Sequence, residues 1–192
     1  PVGIKYKAGV SAQLKSAVLL AGLNSHGNTV IEEQIISRDH TENLLMKNIQ
    51  SIKIIKKKKK IIIVKGKSYL NPLNLNIGGD PSSAAFFAAL TLLNKNSTLK
   101  IKNVGLNPTR TGFYEILKKQ KVKINFKNII KDNNEIRGDI LIKSSKLKPM
   151  NVPASLYPRT TDEYLILFVL ASLTNGVSTF RGISELKDKE SS

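Results

Sequence analysis

The chain has 192 residues, 41% of them hydrophobic, no Cys, and 31 Lys+Arg against 14 Asp+Glu for a formal charge of +17. That length buries one large or two small cores, and the absence of Cys excludes disulfides and thiolate metal sites. No apolar run reaches the roughly 18 residues of a membrane helix, and Pro1 opens no signal-peptide pattern, so a cytoplasmic protein is expected.

A strongly positive chain attracts polyanions and phosphorylated metabolites. Here 26 of the 31 basic residues are Lys, and Ile and Asn are also heavily used, which is the residue set of AT-rich codons. Aromatic content is 6% with no Trp, so the rings that a nucleic-acid binder interleaves with its cations are missing. Neither nucleic acid nor membrane is expected as a partner.

In chain order, a short strand over 4–7 leads into an apolar helix over 13–23, and Asn24-Ser25-His26-Gly27-Asn28 makes a turn of residues that tolerate left-handed backbone. A strand over 29–32 follows. Ser37-Arg38-Asp39-His40-Thr41-Glu42 opens a second helix with apolar residues at Leu44, Leu45 and Ile49, its Ser or Asp placed to cap free N–H groups. Two apolar strands, 52–55 and 61–64, flank the run Lys56 to Lys60, which reads as a solvated hairpin tip.

The order β-α-β-α-β-β then recurs. A strand over 73–77 precedes Gly78-Gly79-Asp80-Pro81, with Pro suited to a helix start, and a helix over 82–93 follows. Next come a strand over 98–103, a helix over 113–119, and strands over 122–126 and 139–143, with a polar, mobile loop expected over 128–137. A third copy begins with a strand near Met150-Asn151-Val152, a loop over 153–161, a helix over 162–173 and a strand over 177–181, and stops where its second helix is due. A module repeated in fixed order sets the architecture: α/β (α+β), two full units and a truncated third. The expected domains are 1–70 and 71–192, with the boundary near 66–73.

Polar residues gather where helices begin. Ser11-Ala12-Gln13 opens the first helix, whose free N–H groups and dipole suit a phosphate or carboxylate; a plain N-cap is the competing account. Arg38 offers a bidentate phosphate contact or a surface pair with Asp39 or Glu42. Asp162-Glu163 opens the third copy's helix, where a carboxylate can cap the helix or act as a base beside a substrate hydroxyl. Lys189-Glu190 sets a cation and a carboxylate side by side, as proton transfer needs. His26 and His40 have no His or Cys partner at ligand spacing, so no metal is assigned. Gly78-Gly79-Asp80 lacks the Gly-Lys-Ser/Thr of a P-loop.

Six blocks closely resemble the EPSP synthase family, in that family's order and spacing: residues 11–23 (SAQLKSAVLLAGL), 37–42 (SRDHTE), 79–86 (GDPSSAAF), 107–112 (NPTRTG), 162–164 (DEY) and 185–191 (ELKDKES). The resemblance implies the enolpyruvyl transferase fold, an inside-out α/β barrel of two lobes with three modules each. Residues 1–70 would be the last module of one lobe, and 71–192 the first and part of the second module of the other. It implies transfer of the carboxyvinyl group of phosphoenolpyruvate to the 5-hydroxyl of shikimate 3-phosphate, through a tetrahedral adduct that loses phosphate, in the shikimate pathway to aromatic amino acids. No metal or organic cofactor is implied.

Carried over by position, Ser11, Ala12 and Gln13 resemble the cradle for the shikimate phosphate, with Ser37, Arg38 and Glu185 as further substrate contacts. Asp162 resembles the carboxylate facing the reacting hydroxyl, and Lys189 and Glu190 the pair for substrate binding and proton transfer at the phosphoenolpyruvate carbon. The family motif continues Lys-Glu-Ser-Asp-Arg, whereas this chain has Ser192 after Lys189-Glu190-Ser191, and Asp188 replaces a usual apolar residue. The family's Lys-Ser-x-x-x-Arg segment, Gly-rich loop and late Arg and Lys residues are not in these 192 residues. Little or no turnover is therefore expected of the chain alone, with the remainder of the enzyme completing the site. The alternatives are UDP-N-acetylglucosamine enolpyruvyl transferase and a non-enzymatic basic nucleic-acid-binding module; the 11–13 and 37–41 blocks favour the shikimate branch.

Overall fold

Ser11 sets the first helix. Its extended backbone and its hydroxyl, which accepts from the Leu14 N–H at 3.3 Å, cap α1 (Ala12–Asn24) in the computed structural model, which describes residues 1–47, 50–56 and 58–188. The chain divides into two units, Pro1–Asn76 with Asp132–Glu135, and Ile77–Lys131 with Ile136–Ser192.

In the first unit β1 (Lys5–Ala8), α1, β2 (Asn28–Glu33), α2 (His40–Leu45), β3 (Ile52–Lys56) and β4 (Lys60–Lys65) follow the expected order. The sheet runs β1-β2-β4-β3, with β1 parallel to β2 and β4 antiparallel to both its neighbours. One face of α1 is buried at Lys15, Leu19, Gly22 and Leu23, a helical i, i+4, i+7, i+8 stripe. It packs with Ile31, Leu45, Ile52, Ile62 and Val64, each large apolar side chain contributing about 1.5–3 kcal/mol. A Cβ added at Gly22 would lie 2.9 Å from Thr29 Cβ, so the missing side chain lets α1 close on β2.

Two expectations for this unit are corrected. Lys60 is not solvated at a hairpin tip: it begins β4 and is 6% exposed, because carboxylates await its ammonium inside. The second helix is short, and Asp39 at its N-cap makes no side-chain capping bond. Ile49 and Lys57 lie outside the described residues.

In the second unit Asp80 caps α3 (Pro81–Leu93), accepting from the Ser83 N–H at 2.7 Å and Oγ–H at 2.9 Å, with Pro81 in the first turn. Then come β5 (Thr98–Gly105), α4 (Gly112–Lys119), β6 (Ile124–Asp132) and β7 (Glu135–Lys143), the sheet running β5-β7-β6. The expected strand over 73–77 does not form. Its alternating Leu73, Leu75 and Ile77 are all exposed, and parallel pairing on β5 shrinks to one bridge, Gly79 to Val104. The register of β5 shifts between Ile101 and Val104, with Asn103 at φ 53°; such a bulge bends the strand away from a partner.

The expected mobile loop over 128–137 is also absent. Those residues extend β6 and β7, and only Asn133 and Asn134 turn, both at positive φ (50° and 61°), the backbone of a tight hairpin.

The third copy supplies β8 (Asn151–Val152) parallel to β9 (Thr179–Phe180). Between them the expected loop is a 3₁₀ turn (Ala154–Arg159), a second such turn spans Thr161–Glu163, and α5 covers Tyr164–Ser172. Thus each copy opens with two segments paired in parallel on either side of a helix. The second and third copies share one core, in which Ala85, Ala88, Phe113, Leu117, Ile140, Tyr164 and Leu167 are buried. On the outer faces Phe86, Leu90 and Leu93 of α3, and Leu165, Val169 and Leu173 at α5, stay exposed.

Candidate functional site

In the first unit the candidate residues stand on two segments that meet over buried charge. Ser11 caps α1, and Ala12 and Gln13 form its first turn, where a helix leaves backbone N–H groups without internal partners. Ser37 lies between β2 and α2 and is 1% exposed. Its N–H and Oγ–H both donate to Glu33 Oε1, at 2.8 and 2.7 Å. The Arg38 carbonyl accepts from Lys15 Nζ at 2.9 Å, and Ser16 Oγ meets Thr41 Oγ1 at 2.7 Å. The surface pair of Arg38 with Glu42 is not available, since Glu42 is buried and engaged elsewhere.

Beneath these segments four charges alternate in a ring. Lys15 Nζ lies 2.9 Å from Glu33 Oε1 and 2.7 Å from Glu42 Oε1, while Lys60 Nζ lies 2.9 Å from Glu42 Oε1 and 3.2 Å from Glu33 Oε2. The last contact is an ion pair without hydrogen-bond geometry. Lys15 donates to Glu33 and to the Arg38 carbonyl, and its contact with Glu42 is an ion pair. Burial would push the Glu33 carboxyl up, but hydrogen bonds from Lys15 and Ser37 outweigh it and hold its pKa below 4.5. Burial likewise opposes the Lys60 charge, and Glu42 and Glu33 together raise its pKa above 10.5. Sequence reasoning missed this tetrad. The available signal was Lys15 on the same helical stripe as Leu19 and Leu23, a cation on a buried face that requires partners.

In the second unit Asp162 sits in the 3₁₀ turn before α5. Its Oδ2 is 3.5 Å from Arg110 Nη1, and Arg110 Nη2 donates to Asp80 Oδ1 and Ser82 Oγ, both at 2.7 Å. Ser82 Oγ–H donates in turn to the buried Glu163. Burial would raise the Asp80 pKa, but the Ser83 bonds and the Arg110 charge lower it. The starts of the second and third copies are thereby tied through Arg110, another residue not picked out as a site residue from sequence. Tyr114 adds a buried hydroxyl donating to the Pro81 carbonyl at 2.9 Å; burial first, then the charges of Glu163 and Asp80, push its pKa far up. Glu185 is exposed in a 3₁₀ turn, Ser184–Asp188. Lys189 and Glu190 lie outside the described residues. Among the described residues no group of three or more His, Asp or Glu could hold a metal ion, and no helix is long and apolar enough to cross a membrane.

A β-α-β-α-β-β module, a second copy that keeps only a bridge for its opening strand and part of a third make up a mixed α/β architecture consistent with the enolpyruvyl transferase fold. The sequence model of EPSP synthase (3-phosphoshikimate 1-carboxyvinyltransferase) matches residues 2–192, and the chain belongs to that family. It is 41% identical over 192 residues to the 3-phosphoshikimate 1-carboxyvinyltransferase of Zymomonas mobilis, covering 99% of this chain and 42% of that protein. It is 40% identical over 189 residues to the Bacillus subtilis enzyme of the same name, covering 98% and 44%. A solved EPSP synthase from Acinetobacter baumannii superposes with a TM-score of 0.83 at 36% identity, over 99% of this chain and 42% of that one. The chain thus spans less than half the length of the relatives it matches.

Proposed function

We propose that the chain forms part of a transferase that moves the carboxyvinyl group of phosphoenolpyruvate to the 5-hydroxyl of shikimate 3-phosphate with release of phosphate. Residues 1–70 belong to one lobe and 71–192 to the other. The observation that carries the reading is the meeting of the α1 start with the Ser37-Arg38 segment in a protein matched to this family along its length. Ser11, Ala12 and Gln13 hold the shikimate phosphate by hydroxyl, backbone N–H and amide donors at a helix start. Ser37, Arg38 and Glu185 give further contacts, Arg38 as a guanidinium suited to phosphate.

Asp162 accepts the proton of the attacking hydroxyl, for which a carboxylate at hydrogen-bond reach is suited. Lys189 binds substrate, and Lys189 and Glu190 move the proton at the phosphoenolpyruvate carbon. The parts of the enzyme outside these 192 residues complete the phosphoenolpyruvate site. The test is calorimetric titration of the chain with shikimate 3-phosphate, with inorganic phosphate and a short oligonucleotide as controls at two salt concentrations. Saturable binding selective for shikimate 3-phosphate supports the reading. Binding of the oligonucleotide alone, weakening steeply with salt, would replace it with a nucleic-acid module.

A further inference from the structure

We infer that Lys15 and Glu33 are positioning residues that set the Ser37-Arg38 segment against the start of α1, an assignment that rests on the proposed binding of shikimate 3-phosphate there. The connection between β2 and α2 has no strand or helix of its own over 34–39, and Gln34, Ile35 and Ile36 are exposed. A connection of that kind moves freely unless side chains tie it down. This one is tied at two successive residues, each to a fully buried charge.

The Ser37 N–H and Oγ–H end on Glu33 Oε1, and the Arg38 carbonyl ends on Lys15 Nζ. Lys15 stands one turn into the helix whose first residues are Ala12 and Gln13. One ammonium therefore fixes the spacing between the two segments that hold the substrate. Lys60 balances the same two carboxylates from β4, donating to Glu42 and lying in ion-pair contact with Glu33. Lys15 and Lys60 are thus alike in the ring and differ at the loop. Charge-assisted bonds in a buried site are stronger than neutral ones, and the loop is held by three of them.

The experiment compares Lys15→Met with Lys60→Met in the 192-residue chain, each variant removing one ammonium from the tetrad. Amide hydrogen exchange is followed at residues 37–39 and along β2 and β4, and shikimate 3-phosphate is titrated into each protein. Lys15→Met is expected to speed exchange at 37–39 at least about tenfold more than Lys60→Met, and to raise Kd by about tenfold or more while Lys60→Met changes it less than about threefold. Equal effects of the two variants at 37–39 overturn the inference, since the tetrad would then act through the fold alone. Should the unsubstituted chain bind no shikimate 3-phosphate, the substrate reading fails, and the exchange comparison decides the positioning role by itself. If Lys15→Met does not fold, Glu33→Gln against Glu42→Gln makes the same comparison, because it is Glu33 that accepts from Ser37. Faster exchange at 37–39 in Glu33→Gln supports the inference and equal exchange overturns it.

Discussion

Lys15 Nζ donates to Glu33 Oε1 at 2.9 Å across 18 residues of sequence, with both side chains fully buried. Removing one partner of such a pair leaves a carboxylate uncompensated in a medium that solvates it poorly, a loss of about 3–5 kcal/mol. Lys15→Met is expected to lower the unfolding free energy of the first unit, read from urea titration, by an amount in that range. A change below about 1 kcal/mol would mean that water reaches the tetrad.

The same ring predicts how stability varies with pH. A carboxyl lowered in the folded state contributes stability above its unfolded pKa, lost as pH falls through the folded value. An ammonium raised in the folded state contributes below its unfolded pKa, lost as pH rises through the folded value. With Glu33 held below 4.5 and Lys60 above 10.5, the first unit is expected to hold a plateau between those values and weaken on both sides. Glu33→Gln should flatten the acid limb in unfolding experiments across pH; an unaltered acid limb would assign it to other carboxyls.

Arg38→Gln is expected to weaken shikimate 3-phosphate binding by about 1.5–3 kcal/mol, the worth of hydrogen bonds to a charged group. The main-chain carbonyl held by Lys15 is untouched by this change, so the segment keeps that tie to α1. Calorimetric affinity within about twofold of the unsubstituted chain would remove the guanidinium from the phosphate site.

These residues also show what could be read from sequence. Ser11 and Pro81 were legible because signals for a helix start act within one turn of helix, and the three opening helices were legible because a module recurs. The tetrad was not, since Lys15, Glu33, Glu42 and Lys60 come from four elements and Lys60 hides in a lysine run. Polarity over 128–137 suggested a loop, but strand pairing needs backbone and a turn, and Asn133-Asn134 supply the turn. The strand over 73–77 had the right alternation and lacked a straight edge to pair with.

Asp80→Ala should cost about 0.5–2 kcal/mol, the usual worth of an N-cap, and release Arg110 from one of its acceptors. Asp80→Asn keeps a capping oxygen and should cost less. Thermal unfolding of the second unit checks the order; equal losses would assign the effect to charge.

Gly22→Ala sets two effects against each other. Alanine is favoured over glycine inside a helix by about 1 kcal/mol, but the new Cβ would meet Thr29 Cβ at 2.9 Å, and overpacking costs about 1–3 kcal/mol. The net is expected to be destabilising. A rise in midpoint would show that α1 can shift outward at little cost.

The exposed stripes Phe86, Leu90 and Leu93 beside Leu165, Val169 and Leu173 share a surface with a chain of charge +17. Like charge keeps copies apart over about 30 Å at 0.01 M salt but over only about 3 Å at 1 M, whereas apolar attraction persists or strengthens in salting-out ions. Colloidal behaviour should therefore invert the habit of basic proteins that precipitate with polyanions: sulfate, added to strip away contaminating nucleic acid, would itself bring this chain out of solution.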